Sequence, residues 1–231
     1  MGRIISWVRR SLWDVVPRNH RQAPAELRRR QWVTAAFALV GALVLGASLR
    51  LEPGTPWFYP ATLALAGVWV VGAFCSGPLH LGRIRLGTGL VRPVVSPVLV
   101  GLALAGLFVL AALVVRGLPY LGDRVSGVLD YADEGSLPLI VLVTAANGVA
   151  EELFFRGAVY AAVTRHPVLW TTVGYTIVTL ATGNVMLSLA AVVLGVVVGL
   201  ERRASGGILA PMLTHVSWSV VVLLALPPLF D

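Results

Sequence analysis

Residues 137–163 read LPLIVLVTAANGVAEELFFRGAVYAAV, an apolar run long enough to cross a bilayer that still holds Glu151, Glu152 and Arg156 near its middle. A membrane helix needs about 20 apolar residues, and an ionisable group inside one costs several kcal/mol unless it is paired. The stretch is therefore both a span and the first place to look for chemistry. Composition extends the reading outward. The 231 residues are 57% hydrophobic and 13% charged, with mean hydropathy +0.84, against roughly a quarter charged in an ordinary soluble domain. A water-soluble enzyme is excluded, and after a polar start of about 30 residues there is room for six to eight spans and no separate soluble domain.

Apolar runs and their breakers place spans near 33–49, 57–75, 93–115, 137–163, 168–186, 187–200 and 208–229. The expected fold is all-α, a polytopic membrane helix bundle of about seven transmembrane helices (six to eight) with a short N-terminal interfacial helix. Only Gly183 and Asn184 break the fifth run from the sixth. Because the sixth is short, a broken or re-entrant element is expected there. Three regions follow: a basic segment 1–32, N-terminal spans 33–136, and a core 137–229.

The net charge of +7 rests on 18 basic residues, all arginine, so lysine chemistry is excluded. Eight, three, one and two of them lie in segments 1–32, 76–92, 164–167 and 201–207, whereas the opposite connections hold only Arg50, Arg116 and Arg124. Positive residues accumulate on the cytoplasmic side, which puts the N-terminus inside, Asp231 outside, and the acidic loop with Asp123, Asp130, Asp133 and Glu134 outside. The arginines of the first thirty residues directly precede a span, so anionic lipid headgroups are their expected partner and nucleic acid is not. Ile4, Ile5, Val8, Leu12, Val15 and Val16 fall on one helical stripe flanked by Trp7 and Trp13, the pattern of an interfacial helix ended by Pro17. A cleaved signal peptide fits poorly, since the charged region is too long and further spans follow. The lone cysteine, Cys75, permits no internal disulfide and reads as a small buried apolar residue. Ala191, Gly195 and Gly199, spaced by four, mark a close helix–helix contact.

Few polar residues lie inside the apolar zone: Glu151, Glu152 and Arg156, then Asn184, then His215, Ser217 and Ser219, with Asn147 and several threonines adding a little. Glu152 and Arg156, four apart, share a helix face and can pair. Glu151 points about 100° away with no local partner, and a carboxylate so desolvated has the property a general base needs. The alternative is an ion-pair lock between helices, with Glu151 bonded to a neighbouring helix. His215 and Ser219 also share a face. At 1.5 Å per residue, His215 and Glu151 lie roughly 18 and 20 Å from their arginine-marked edges, and Asn184 roughly 25 Å. These depths permit one shared pocket. The chain lacks H-E-x-x-H, a G-x-S-G serine site and the Y-D with G-x-G-D aspartyl pair. Zinc needs about three protein ligands, and His215 with two glutamates is a thin set, so no metal or other cofactor is expected.

Glu151-Glu152-Leu153-Phe154-Phe155-Arg156 reads E-E-x-x-x-R, and Ala210-Pro211-Met212-Leu213-Thr214-His215 opens the final apolar run. This ordered pair resembles the CAAX-protease and bacteriocin-processing family of intramembrane proteases, also called the Abi family, over about residues 137–225. The resemblance implies that Glu151 activates a water, that Glu152 supports the site with Arg156, and that His215 stabilises the oxyanion. Two positions depart from the family pattern. Asn184 stands where F-x-x-x-H would have histidine, and Ser219 where H-x-x-x-N would have asparagine. Asn184 can orient a water without taking its proton, and Ser219 can donate one hydrogen bond with shorter reach. The expected function is an intramembrane endopeptidase acting on a membrane or membrane-proximal peptide or protein through a cavity open to the cytoplasm, as monomer or homodimer. The alternative is a non-catalytic scaffold that regulates another membrane protein. A proton-coupled transporter is a weaker third class, since no internal repeat supports it.

Overall fold

The computed structural model describes residues 2–48, 51, 55–117 and 136–230. The acidic loop with Asp123, Asp130, Asp133 and Glu134, together with Arg50, Arg124 and Asp231, lies outside the described residues. Helix α1 (Gly2–Val8) widens into a π-helical turn, Arg9–Trp13. Then come α2 (Pro24–Ser48), α3 (Phe58–Ser76), a hairpin of β1 (Ile84–Leu86) and β2 (Gly89–Val91), and α4 (Val95–Val115). The C-terminal half holds α5 (Leu137–Glu152), which runs on through a π-helical stretch, Leu153–Val159, and a last turn, Tyr160–Ala162. It is followed by α6 (Pro167–Leu180), α7 (Val185–Ser205), α8 (Leu209–Ala225) and a short α9 (Pro227–Phe230).

Among the described residues five helices are long and apolar enough to cross a bilayer, and α6 and α8 are shorter apolar helices. The protein is a multi-pass bundle. Its core forms where α5 meets α3 and the α6–α7 pair: Trp69 lies 4.5 Å from the Phe154 ring, and Phe155 packs edge-on to Tyr175 at 5.2 Å. On the far side α4 covers α8, with Phe108 against Trp218 at 5.2 Å. The outer faces of α2 and α4 leave Leu39, Leu43, Leu107 and Leu110 uncovered by protein, as a lipid-facing surface requires.

The broken region is real but its two halves are exchanged in length. The sixth run, expected to be the short one, is a 21-residue helix, and the fifth has 14 residues. Charges at 201–203 read as the end of a span, yet Glu201 and Arg202 are buried within α7 and helix continues to Ser205. Between the halves Gly183 takes φ +76° and Asn184 caps α7 by accepting from the Met186 and Leu187 N–H groups at 2.9 and 3.3 Å. That is the role a short polar side chain plays at a helix start. The small-residue stripe behaves as expected: a Cβ on Gly195 or Gly199 would come within 2.9 Å of Thr172 or Val168 on α6.

Other expectations shift. Helix α2 begins at Pro24, nine residues before the expected span and within what reads as polar tail, with Glu26 accepting from the Ala23 N–H at 3.1 Å. Helical structure at the N-terminus stops at Trp13, short of Pro17, and Val16 turns inward to bond the Ala204 carbonyl at 3.1 Å. Ile4, Ile5 and Val15 stay uncovered by protein. Cys75 is exposed, because Ala73 and Ser76 take the inward positions at the end of α3.

The arginine-rich segments converge on one end of the bundle. Arg18 donates to the Arg203 carbonyl, Arg30 to the Pro78 carbonyl at 3.0 Å, and Gln22 to the Ala161 carbonyl at 3.1 Å. The loop before β1 lies against the α7–α8 turn through Arg83 N–H to Ser205 O (2.9 Å) and Ile208 N–H to His80 O (2.9 Å). Gly82 and Gly207 touch backbone to backbone there, an approach that any side chain would block.

His20 and His80 stack face to face at this end, ring centroids 3.8 Å apart. Burial first, then the facing His80 ring and the Arg202 and Arg18 charges, push His20 down to about 4, and burial followed by Arg202 and Arg30 lowers His80. His20 therefore stays neutral in the fold at pH values where an unfolded chain protonates, near 6.5, and His80 is shifted in the same direction. Stability is therefore full above pH 6.5 and lost progressively as pH falls toward 4. Thermal unfolding in detergent across that window is expected to show a steeper fall for wild type than for His20→Gln. Parallel curves would remove the histidine pair as the cause.

Candidate active site

Glu151 and Glu152 end the regular part of α5, where a π-helical stretch begins. Such wide turns concentrate at functional sites because they re-aim side chains that a uniform helix would hold in register. Here adjacent glutamates reach different neighbours. Glu152 is fully buried, and its Oε1 accepts from Arg156 Nη1 at 3.0 Å and lies 2.9 Å from His215 Nδ1. Arg156, equally buried, donates through Nη2 to the Gly195 carbonyl at 3.2 Å and sits 4.9 Å from the centre of the Tyr175 ring. Gly195 is needed at that point, since a Cβ there would stand 3.3 Å from Arg156 Nη2.

Glu151 has a partner that its own helix does not reveal. Tyr175 of α6 donates its hydroxyl to Glu151 Oε2 at 2.7 Å, and the same oxygen lies 4.0 Å from His215 Nε2. The Glu151 side chain keeps 29% exposure while His215 keeps 6%. One imidazole thus stands between two carboxylates, Nδ1 on the buried one and Nε2 toward the accessible one. Gly148, one turn before Glu152, lies beside the ring, where a Cβ would be in ordinary contact with His215 at 3.4 Å.

The three residues matched by depth, Glu151, Glu152 and His215, do meet, and Arg156 joins them through Glu152. Ser219 and Asn184 are placed otherwise. The Ser219 hydroxyl donates to the His215 carbonyl at 2.8 Å, one turn back along its own helix. Asn184 uses its side-chain oxygen to cap α7. Ser217 is also bonded to its own helix, through the Leu213 carbonyl at 2.7 Å.

Several polar residues escaped notice in the sequence. Tyr175 was one aromatic among apolar residues, and only its place on α6 brings it to Glu151. Glu201 and Arg202 read as loop charges. In the structure Thr214 donates to Glu201 Oε1 at 2.9 Å beside the Pro97 carbonyl, and Arg202 Nε donates to the Arg156 carbonyl at 2.7 Å. These bonds tie α4, α5, α7 and α8 together at the residue next to His215.

Among the described residues no group of three or more His, Cys, Asp or Glu is placed to hold a metal ion.

The C-terminal part of the chain has a likeness to a known family. Residues 133–221 match the family model described as Rce1-like, type II CAAX prenyl endopeptidase. That segment is similar to the CAAX-type (CPBP) family of intramembrane proteases. The match covers less than half of the chain and includes α5 through most of α8, all the helices that supply the cluster around His215. No curated protein and no solved structure matched the chain.

The buried Glu152–Arg156 pair is expected to be an energetic weak point. Removing one partner leaves an uncompensated charge, at a cost of about 3–5 kcal/mol. Arg156→Met or Glu152→Leu should each lower the unfolding midpoint in detergent sharply, and the double variant Glu152→Leu/Arg156→Met should recover part of the loss. A double variant as unstable as the sum of the singles would refute a compensating pair.

Proposed function

We propose that the protein is an intramembrane endopeptidase that cleaves a peptide or protein near or within the membrane by glutamate-activated water. The observation that carries this reading is the single imidazole of His215 set between Glu152 at 2.9 Å and Glu151 at 4.0 Å inside an apolar bundle. A gap of that size is one that a water molecule bridges. In the proposed step Glu151 removes a proton from the water, and the water oxygen forms its bond to the scissile carbonyl carbon. The carbonyl π electrons move onto oxygen. His215, its Nδ1–H held by Glu152, donates through Nε2–H to that oxyanion in its cationic form, and Arg156 balances the charge of Glu152. Collapse of the tetrahedral species breaks the C–N bond, and Glu151 returns its proton to the leaving amine.

Tyr175 is a positioning residue in this scheme. Its hydroxyl fixes Glu151 Oε2, the same oxygen that faces His215 Nε2, and so holds the carboxylate toward the bridging water. Asn184 orients solvent at most indirectly while it caps α7, and Ser219 adds no oxyanion donor while it bonds its own helix. The retained Glu–Glu–Arg–His geometry favours catalysis over a pure scaffold. We further propose that the arginine-rich end faces the cytoplasm, with the N-terminus inside and the C-terminus outside, because the four positively charged segments converge there. Alkaline phosphatase fused after Gly127 should then be active and after Arg203 inactive.

Comparing peptide termini of membrane and secreted proteins from cells with wild type, a deletion, Glu151→Gln or His215→Ala tests the activity. New termini should appear with wild type alone, since loss of a general base or an oxyanion donor costs about 10² to 10⁴ in rate. Tyr175→Phe should retain cleavage at about one tenth, the loss of one hydrogen bond, and Ser219→Ala should stay within about threefold of wild type. Identical termini in all strains, with a deletion phenotype that Glu151→Gln rescues, would establish a scaffold instead.

A further inference from the structure

A second feature lies at the arginine-rich end, outside the glutamate–histidine cluster. The segment before α2, the first turns of α2, the loop after α3, the end of the α5 rod and α7 enclose a cavity of about 270 Å³. At ~30 Å³ per water, it has room for several waters or for one phosphate group with its hydrogen-bonding shell. Arg21, Arg29, Arg30 and Arg202 line it from three directions, and Glu26 is the one carboxylate in its wall.

Two of those guanidiniums are held inside the protein. Arg30 is 3% exposed and Arg202 4%. Arg30 spends one nitrogen on the Pro78 carbonyl, and its Nε finds no hydrogen-bond partner among the described residues. Arg202 rests on the Tyr160 ring at 4.8 Å and bonds the Arg156 carbonyl. Among the described residues none of the four arginines is ion-paired with a carboxylate, and Glu26 already accepts from the Ala23 N–H. Buried cationic groups without counter-ions are costly, and arginines arrive in such numbers where a phosphate is to be held in several planes at once. One carboxylate ligand would leave most of this charge unanswered.

We propose that this cavity is a binding site for a phosphate group. Its place beside the first turns of α2, at the end of the bundle where basic segments gather, puts it at headgroup height. An anionic phospholipid and a free phosphate share the chemistry that the site reads. The site does not rest on the peptidase reading, because no step at Glu151 or His215 uses it. The wall is nevertheless shared with the catalytic cluster through Arg202 and the Arg156 carbonyl.

The test is thermal unfolding of delipidated protein in a neutral detergent at fixed ionic strength, titrated in separate arms with inorganic phosphate, short-chain phosphatidic acid and short-chain phosphatidylcholine. A saturable rise in midpoint is expected with a phosphate-bearing anion and not with phosphatidylcholine. Saturation by inorganic phosphate identifies a free phosphate as sufficient, and saturation by phosphatidic acid alone identifies the lipid headgroup. Arg30→Gln risks the fold, so the informative variant is Arg21→Gln/Arg29→Gln, both exposed at the rim. It should weaken binding at least tenfold, while Arg28→Gln, exposed on α2 and absent from the cavity wall, should leave it unchanged. Failure of both anions to saturate, equal stabilisation by phosphatidylcholine, or an equal loss in Arg28→Gln would overturn the proposal. Cleavage assays on the same variants keep the two readings apart, since a peptidase without an anion site would still cut.

Discussion

The bundle is organised around a charge that has no water to go to. Glu152 and Arg156 are both at 0% exposure, and in an apolar core an unpaired ion of either sign would unbalance the fold. Pairing at four residues' spacing solves half of the difficulty. The remainder needs the Gly195 carbonyl from α7 and the His215 Nδ1 from α8, so two further helices must close on α5 before the pair is satisfied. Helix α6 adds the Tyr175 ring beside the guanidinium. The fold's most expensive interaction therefore demands the same neighbours that complete the site.

Even then the accounts are incomplete. Glu152 Oε2 and Arg156 Nε find no hydrogen-bond partner among the described residues, nor does Glu201 Oε2. Buried polar groups left unsatisfied cost about 1–3 kcal/mol each, and a bundle selected for stability alone would hold leucine in these places. Persistence of such groups beside His215 and the partly exposed Glu151 accords with the proposed chemistry at this cluster. The π-helical stretch belongs to the same pattern. It begins directly after the two glutamates and contains Arg156, the partner of Glu152.

Much of this was legible in the sequence because the bilayer makes sequence reading easy: long apolar runs must be helices, and charges inside them must be paired. The spans, the Glu152–Arg156 pair, the approach at Gly195 and Gly199, and the meeting of His215 with both glutamates all follow from spacing and depth. Failures came where tertiary contacts override local cues. Glu201 and Arg202 look like a membrane boundary, yet Thr214 and the Arg156 carbonyl receive them and α7 runs on. Tyr175 carries no signal until α6 is placed against α5. The hairpin Ile84–Leu86 with Gly89–Val91 is three residues a side, too short for alternation to stand out. Asn184 and Ser219, assigned by likeness to a motif, proved to serve their own helices first.

Glycine placement shows how closely the two ends of the molecule depend on each other. Gly195 lets α6 and Arg156 approach α7 in the interior, and Gly82 and Gly207 let the loop before β1 press on the α7–α8 turn. Arg202 stands between these two contacts on α7, bonded inward to the Arg156 carbonyl and facing the arginine-lined cavity outward. Any displacement of α7 must therefore be felt by Arg202 at both ends, and through Gly195 by the guanidinium that holds Glu152. Helix α7 supplies no side chain to the reacting water in the proposed mechanism, yet it is the element through which the basic end and the buried glutamate are mechanically joined.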